Sequence, residues 1–208
     1  MIVLGLTGSI GMGKTTTAAM LRRLGLPLFD ADGVVHRLLG PRGGAVGRVE
    51  AAFPGVRTPA GAIDRRLLAQ RVFGDAPALR RLEQILHPMV AAAERDFLAR
   101  ARARRAPLAV LDIPLLFEVH GERRCDYVLV VSAPASVQRH RVLRRAGMTE
   151  QRFAAILAKQ MPDIEKRRRA DFVVQTGLGR GLTLRRLRRI VRLLKQSEAR
   201  RRRRCARS

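Results

Sequence analysis

The feature that most constrains this chain is a glycine-rich turn between an apolar run and a helix-forming stretch. Residues 8–15 fit the phosphate-loop pattern G-x-x-x-x-G-K-[ST] and follow the apolar run Ile2–Leu6. A strand, a glycine turn and a helix that opens at Lys14 would aim successive backbone N–H groups at one point, which is a seat for a polyphosphate. The alternative is a glycine-rich turn without a ligand, and the strand before it with the helix after it disfavours that alternative.

The residue types in this loop predict particular contacts. Lys14 is expected to reach the β- and γ-phosphates of ATP, and the Thr15 hydroxyl is expected to take a place on Mg²⁺. The predicted nucleotide contacts are Gly11, Met12, Gly13, Lys14, Thr15 and Thr16. The loop therefore predicts ATP and Mg²⁺ as cofactors, and it leaves open what happens to the phosphate.

Strand-like apolar runs alternate with helical patterns along the chain. They are found at Ile2–Leu6, Leu26–Phe29, Leu108–Ile113, Tyr127–Val131 and Phe172–Val174. Such alternation is typical of a parallel sheet with helices on both faces. Together with the loop, it predicts an α/β fold of the P-loop NTPase type, a doubly wound parallel sheet of about five strands with a helical substrate-binding insertion and a helical lid.

The predicted nucleotide-binding core comprises residues 1–33, 106–133 and 170–196. Residues 34–105 read as a helical acceptor-binding region, because apolar residues recur there at spacings of three and four. Its predicted helices are Arg65–Phe73, Ala76–Leu86 and Pro88–Ala103.

Residues 134–169 are predicted to form a lid. They contain a basic helical stretch at 137–145, a break at Gly147 and a helix that opens at Thr149. The segment 197–208, with five successive arginines, has nothing to bury and is expected to be a disordered basic tail.

Charge and composition bear on the possible partners. The chain has 208 residues and a formal charge of +25, but residues 139–208 hold 23 Lys and Arg against 5 Asp and Glu. Only four of the 42 basic residues are lysine, which indicates a general bias toward arginine. Any nucleic-acid binding is expected to be non-specific and to go through the tail. Because the longest apolar runs are short and ATP chemistry belongs in a reducing compartment, we expect a cytoplasmic protein without a membrane span.

An acidic pair follows the second strand-like run. Asp30 and Asp32 are expected at the carboxyl edge of the sheet, where ligands gather in doubly wound folds. Asp32 is the candidate base, a carboxylate that accepts or orients a hydroxyl proton for in-line attack on the γ-phosphate. The alternative is that Asp32 caps a helix that starts at Gly33.

A second pair of acids follows the third run. Asp112 has the position of an acid that contacts the metal ion, with a strand-end hydrogen-bonding role as the alternative. Glu118, beyond Pro114, is expected to face either this site or the acceptor.

Basic residues complete the set of candidates. Arg141 and Arg145 are spaced i, i+4 and would project from one helix face to clamp transferring phosphates. A solvated charged face is the alternative for both. His87, directly before Pro88 at a predicted helix junction, would contact an acceptor phosphate or cap a helix.

With these residues in place, the chain resembles the dephospho-CoA kinase family from Ile2 to about Gly177. The resemblance is carried by Leu6–Thr15, Asp30-Ala31-Asp32, Ile63-Asp64-Arg65, Val72-Phe73, His87-Pro88, Asp112-Ile113-Pro114-Leu115-Leu116-Phe117-Glu118, Arg141–Arg145, Gln160 and Ala170–Val174.

The resemblance implies ATP-dependent phosphorylation of the 3′-hydroxyl of the ribose of dephospho-CoA. It also implies that Asp32 is the base, that Lys14 and Arg141 act on the phosphates, and that Arg145 contacts the nucleotide. Arg65, His87 and Glu118 would bind the acceptor together with Asp32, and Thr15 with Asp112 would serve the metal.

The chain departs from the family pattern in the phosphate loop, where Ser9 and Met12 replace small residues, and after the last strand. Met12 is bulkier than the usual serine, so we expect a tighter rim of the phosphate loop. Gln175-Thr176-Gly177 stands where an ending of the Asn-Gly type is usual, so no adenine contact of the family is carried over there.

Two other functions stay open on the sequence. A kinase for another hydroxyl acceptor is disfavoured by the Asp-Ala-Asp and His-Pro segments. A nucleic-acid-binding ATPase would explain the basic C-terminal third.

Overall fold

The structure is a computed structural model that describes residues 1–205. Within this range the sheet has five strands in the order β2-β3-β1-β4-β5. Strand β1 pairs in parallel with β3 and β4, and β4 pairs in parallel with β5. The strands are β1 (Ile2–Thr7), β2 (Leu28–Asp30), β3 (Leu108–Asp112), β4 (Tyr127–Ser132) and β5 (Phe172–Gln175). The predicted α/β class is therefore confirmed.

Helices connect these strands and fill the long interval between β2 and β3. They are α1 (Lys14–Arg23), α2 (Ala31–Leu39), α3 (Val46–Ala52), α4 (Arg65–Val72), α5 (Ala76–Ala103), α6 (Ala135–Leu143), α7 (Glu150–Ala158), α8 (Asp163–Arg168) and α9 (Arg180–Cys205), with a short 3₁₀ helix at Gly121–Arg124. Among the described residues, every helix is too short or too polar to cross a membrane.

The chain divides into two compact units. The first combines residues 1–29 with the chain from Ala101 onward, and we call it the loop unit because it contains the phosphate loop. The second is Asp30–Arg100, which we call the helical unit. The segment 134–169 falls within the loop unit, and its movement as a lid stays a prediction.

Each unit has its own apolar core. In the loop unit the central strands are buried along their whole length, which explains their uninterrupted apolar sequences. In the helical unit a separate cluster is formed by Leu39, Ala45, Val46, Val49, Phe53, Val56, Ile63, Leu68, Ala78 and Leu86.

The long helix α5 differs from the prediction of two helices that meet at Pro88. It runs unbroken from Ala76 to Ala103 with Pro88 inside. A proline removes one backbone hydrogen bond and costs about 3 kcal/mol in a helix interior. Of the apolar side chains on either side of it, Leu86 is buried in the core of the helical unit and Met89 packs against that core while partly buried, and this burial opposes the cost.

Helix α9 corrects the prediction of a disordered tail over residues 197–205. It continues to Cys205, and Glu198 is only 3% exposed. The Glu198 carboxylate accepts hydrogen bonds from the Met1 ammonium and from Arg202, at 2.5 and 2.8 Å. The Glu198 carboxylate thus ties this part of α9 to the N-terminus of the chain. The run of arginines gives no sign of this interaction in the sequence. Residues 206–208 lie outside the described residues.

Candidate active site

The phosphate loop lies where the sequence predicts it, between β1 and α1. Gly13 precedes the helix with φ of 89°, and Gly11 has φ of 77°, so both occupy the left-handed region that favours glycine. A side chain on Gly13 would also collide with Thr176, because its Cβ would lie 2.9 Å from the Thr176 hydroxyl. Thr15 and Thr16 are exposed in the first turn of α1, where their hydroxyls and backbone are accessible to a ligand.

Lys14 forms an ion pair at the end of the loop. Its Nζ lies 2.8 Å from Oδ1 of Asp112, and both side chains are mostly buried. The parallel register places Asp112, at the end of β3, opposite Leu6 near the end of β1, so Asp112 lies at the edge of the sheet where the loop begins. The strand-end hydrogen-bonding role expected as one alternative for Asp112 is therefore present, and metal contact stays a prediction.

Met12 does not narrow the rim of the loop, contrary to the expectation from its size. Its side chain is 3% exposed and belongs to the core of the loop unit. Its sulfur accepts a hydrogen bond from the backbone N–H of Ala133, at 3.1 Å. The Met12 side chain therefore attaches the loop to the core of the loop unit. The loop pattern allows any residue at this position, so it does not predict this role.

Two glutamines hold the middle of the loop. The amide nitrogen of Gln138, on α6, donates to the backbone oxygen of Ile10 at 2.8 Å. The backbone N–H of Ile10 donates to the side-chain oxygen of Gln160 at 3.0 Å. Both glutamines belong to the segment 134–169, so this segment is fastened to the loop at Ile10. No sequence pattern pointed to Gln138.

Arg141 lies beside the loop. Its guanidinium donates to the hydroxyl and the backbone oxygen of Thr176, at 3.0 and 2.8 Å, and contacts the backbone oxygen of Gly11 at 3.4 Å. Helix α6 ends at Leu143, so Arg145 lies beyond it and is exposed. The predicted single helix face for Arg141 and Arg145 is therefore wrong, because the helix ends before it reaches the second arginine.

Glu118 fastens α8 to the segment that follows β3. Its Oε1 accepts the backbone N–H of Met161 at 2.8 Å and lies 2.9 Å from Nζ of Lys166, which is fully buried. Burial by itself would raise the pKa of Glu118, but the interactions with Lys166 and Met161 outweigh it and lower the pKa. The structure thus shows a structural role for Glu118, and the predicted acceptor contact stays a prediction.

In the helical unit, the structure separates the two aspartates of the acidic pair. Asp30 is the N-cap of α2, and its carboxylate accepts the backbone N–H of Gly33 at 3.0 Å. Asp32 lies in the first turn of α2 and is exposed. The capping role considered for Asp32 therefore belongs to Asp30, which leaves the Asp32 carboxylate accessible to a ligand.

The other acceptor candidates of the helical unit are also exposed. Arg65 is the first residue of α4, which is capped by Asp64, and its guanidinium lies 2.9 Å from Nδ1 of His36. An arginine can only donate, so Nδ1 of His36 accepts in this contact. His87 is exposed within α5 instead of lying at a helix junction.

The described residues contain no group of three or more His, Cys, Asp or Glu side chains that could hold a metal ion. Mg²⁺ suits this arrangement, because it is usually bound through one or two protein oxygens together with substrate phosphates. The Thr15 hydroxyl and the Asp112 carboxylate are oxygen ligands of that kind, so the residues present fit the ion.

Known proteins are similar to this chain over most of its length. The family model for dephospho-CoA kinase matches residues 2–179. A dephospho-CoA kinase of Paramagnetospirillum magneticum is 66% identical over 167 residues, which cover 80% of this chain and 78% of the relative. A dephospho-CoA kinase of Mesorhizobium japonicum is 60% identical over 179 residues, which cover 86% and 89%.

Solved structures agree with the fold. The crystal structure of TT1252 from Thermus thermophilus is 37% identical with a TM-score of 0.81, and the match covers 91% of this chain and 95% of that one. A dephospho-CoA kinase from Campylobacter jejuni is 21% identical with a TM-score of 0.64, over 92% and 96% of the two chains, and supports the fold alone. From the family model and the two curated relatives, this chain belongs to the dephospho-CoA kinase family.

Proposed function

We propose that this protein transfers the γ-phosphoryl group of ATP to the 3′-hydroxyl of the ribose of dephospho-CoA, giving coenzyme A and ADP. The observation that carries the proposal is the family match over residues 2–179, which includes every proposed site residue. The nucleic-acid-binding ATPase considered from the charge gains no support from these relatives. We place the reaction in the cytoplasm, where ATP is available.

On the nucleotide side, the cationic side chains of Lys14 and Arg141 bind the phosphates of ATP. In phosphoryl transfer, charge spreads over the oxygens of the transferred group, so positioned cations supply much of the catalysis. Lys14 exchanges its contact with Asp112 for the β- and γ-phosphates, and Arg141 binds the phosphates from α6. Gly11, Gly13 and Thr16 offer backbone N–H groups, and Arg145 adds a contact to the nucleotide.

Mg²⁺ would be held by Thr15, with Asp112 nearby, and it would neutralise charge on the phosphate oxygens when bound. Asp112 has a second task in this proposal. It stabilises the ammonium of Lys14 in a mostly buried position, because a buried cation without a partner would be costly.

On the acceptor side, Asp32 accepts the proton of the 3′-hydroxyl as it attacks the γ-phosphate. Its exposure and the separate capping by Asp30 support this role. Arg65, His87 and Glu118 are proposed, with Asp32, to bind the acceptor.

The proposal is tested by a steady-state assay with ATP, Mg²⁺ and dephospho-CoA, in which ADP and coenzyme A are both quantified. We expect equal amounts of the two products, with the new phosphate on the 3′-oxygen. A dephospho-CoA analogue that lacks the 3′-hydroxyl serves as the control acceptor and should remain unphosphorylated. ATP hydrolysis without formation of coenzyme A, or hydrolysis that depends on added RNA, would overturn the proposal.

A further inference from the structure

Thr176 occupies a position that links three parts of the nucleotide site. It directly follows β5 and is 9% exposed. Its backbone N–H donates to the oxygen of Ser132 at 2.8 Å, which fixes Thr176 beside the end of β4. The residue therefore lies at the carboxyl edge of the sheet, where the loop and α6 also approach.

The hydroxyl of Thr176 connects the phosphate loop with Arg141. It donates to the backbone oxygen of Met12 at 2.7 Å and accepts from Arg141 at 3.0 Å. A hydroxyl has one proton and two lone pairs. Since the proton is directed to Met12, the lone pairs are available to the guanidinium.

Close packing adds to this polar link. The Thr176 hydroxyl approaches Gly13 so closely that a Cβ on the glycine would lie 2.9 Å from it. The backbone oxygen of Thr176 also accepts from the second terminal nitrogen of Arg141, at 2.8 Å. The guanidinium is thus oriented by two atoms of one residue, and one of these atoms also holds the loop.

We propose that Thr176 is a positioning residue, whose hydroxyl couples Arg141 to the backbone of the phosphate loop and so sets the affinity for ATP. The inference rests on the proposed function only in taking Arg141 as a phosphate contact. Valine has nearly the shape of threonine but no hydroxyl, so Thr176→Val would leave the Met12 oxygen without its donor and Arg141 without one acceptor. Serine would restore both bonds.

The test uses matched variants and a binding measurement that does not need the acceptor. The variants are Thr176→Val, Thr176→Ser and, as the control, Thr183→Val. Thr183 is 2% exposed and its hydroxyl donates to the oxygen of Gly179 at 2.9 Å, so the control removes another buried hydroxyl that does not contact the loop or Arg141. The dissociation constant of a non-hydrolysable ATP analogue with Mg²⁺ is measured by calorimetry, together with the melting temperature.

We expect Thr176→Val to weaken analogue binding about tenfold or more, the effect of losing one hydrogen bond to a charged group. Thr176→Ser should stay within about twofold of the parent, and Thr183→Val should lower the melting temperature without changing affinity. In an Arg141→Met background, Thr176→Val should change affinity by less than about twofold, because coupled residues are not additive.

The proposal is overturned if Thr176→Val weakens binding no more than Thr183→Val does, or if its full effect persists in the Arg141→Met background. If Thr176→Val does not fold, Thr176→Ala carries the same comparison, since it places no new apolar atom against the loop. Failure of the proposed function would look different: the parent would bind the analogue but form no coenzyme A, and the binding comparison would still decide the role of Thr176.

Discussion

The cations proposed to act on the phosphates and the proposed base are held in different ways in the two units. In the loop unit, Lys14 is paired with Asp112, and Arg141 is bonded to Thr176. In the helical unit, Asp32 and His87 are exposed. Positioned charges stabilise a transition state best when they need little reorganisation. Lys14 is held beside the loop, and ATP binding requires only that its ammonium exchange Asp112 for the phosphates. A base on the acceptor side has to reach a proton that arrives with the substrate, so exposure suits it.

This difference sets what a substitution should do. Substituting Lys14 or Arg141 in the loop unit takes a hydrogen bond or counter-charge away from a buried partner, so both stability and activity should fall. Removing an exposed residue in the helical unit leaves the folded chain almost as stable as before. Comparing kinetics with melting temperature therefore separates the two kinds of residue.

Asp32→Asn should have the largest kinetic effect. The amide is nearly isosteric but does not accept the hydroxyl proton, so kcat should fall by about 10²–10⁴-fold while the melting temperature stays constant. Steady-state kinetics and thermal unfolding measure the two effects. Survival of kcat with a raised KM for dephospho-CoA would instead make Asp32 a residue that only positions the acceptor.

Lys14→Ala should lower kcat by about 10²–10³-fold, as expected for one lost transition-state contact. Unlike Asp32→Asn, it should also lower the melting temperature, because the Asp112 carboxylate loses its counter-charge. The double variant Lys14→Ala with Asp112→Asn should regain stability but not activity. Equal melting temperatures for the parent and Lys14→Ala would show that the ion pair does not stabilise the loop unit, and the two units would then not differ in this respect.

The ion pair of Glu118 with Lys166 should make the loop unit sensitive to acid. The pKa of Glu118 is lower in the folded chain than its ordinary value of 4.5. The pair therefore contributes stability above pH 4.5 that is lost as pH falls through the lowered folded pKa. Glu118→Gln should be less stable than the parent at pH 7, and the difference should shrink as the pH falls below 4.5 and through the lowered pKa of Glu118. A difference independent of pH, measured by urea unfolding, would contradict this reading.

Removal of the C-terminal end should have the smallest effect. A chain that ends at Gln196 loses the buried Glu198, so its free energy of unfolding should fall by about 1 kcal/mol, or roughly 2–4 °C in melting temperature. A chain that ends at Arg202 keeps Glu198 and is the matched control. Identical melting temperatures for the two would mean that Glu198 does not stabilise the fold, in line with the sequence-based expectation that the tail has nothing to bury.

The sheet could be predicted from the sequence because its strands are covered on both faces. Their apolar runs are continuous, and the predicted boundaries of β1 and β4 each differ from the structure by one residue. The loop and Lys14 followed from a pattern with a physical reason. The sequence identified Asp32 as a candidate base, but it did not decide between that role and helix capping. That choice depended on where α2 begins.

The network around the loop could not be predicted, because its bonds join residues that are distant in the chain. Thr176 binds Met12 across 164 positions, and Gln138 binds Ile10 across 128. One signal was present in the composition. Lysine is rare in this arginine-rich chain, yet two of its four lysines, Lys14 and Lys166, form buried ion pairs. A lysine carries a compact ammonium on a flexible stem, which suits these two positions.

The division between a preformed nucleotide site and an exposed acceptor base is tested most directly by ATP binding in the absence of acceptor. The dissociation constant of a non-hydrolysable ATP analogue with Mg²⁺ is measured for the parent, Asp32→Asn and Lys14→Ala. We predict that Asp32→Asn binds within about twofold of the parent, while Lys14→Ala binds about tenfold or more weakly through the loss of a charged hydrogen bond. Equal weakening by both substitutions would show that Asp32 belongs to the nucleotide site and would contradict the account.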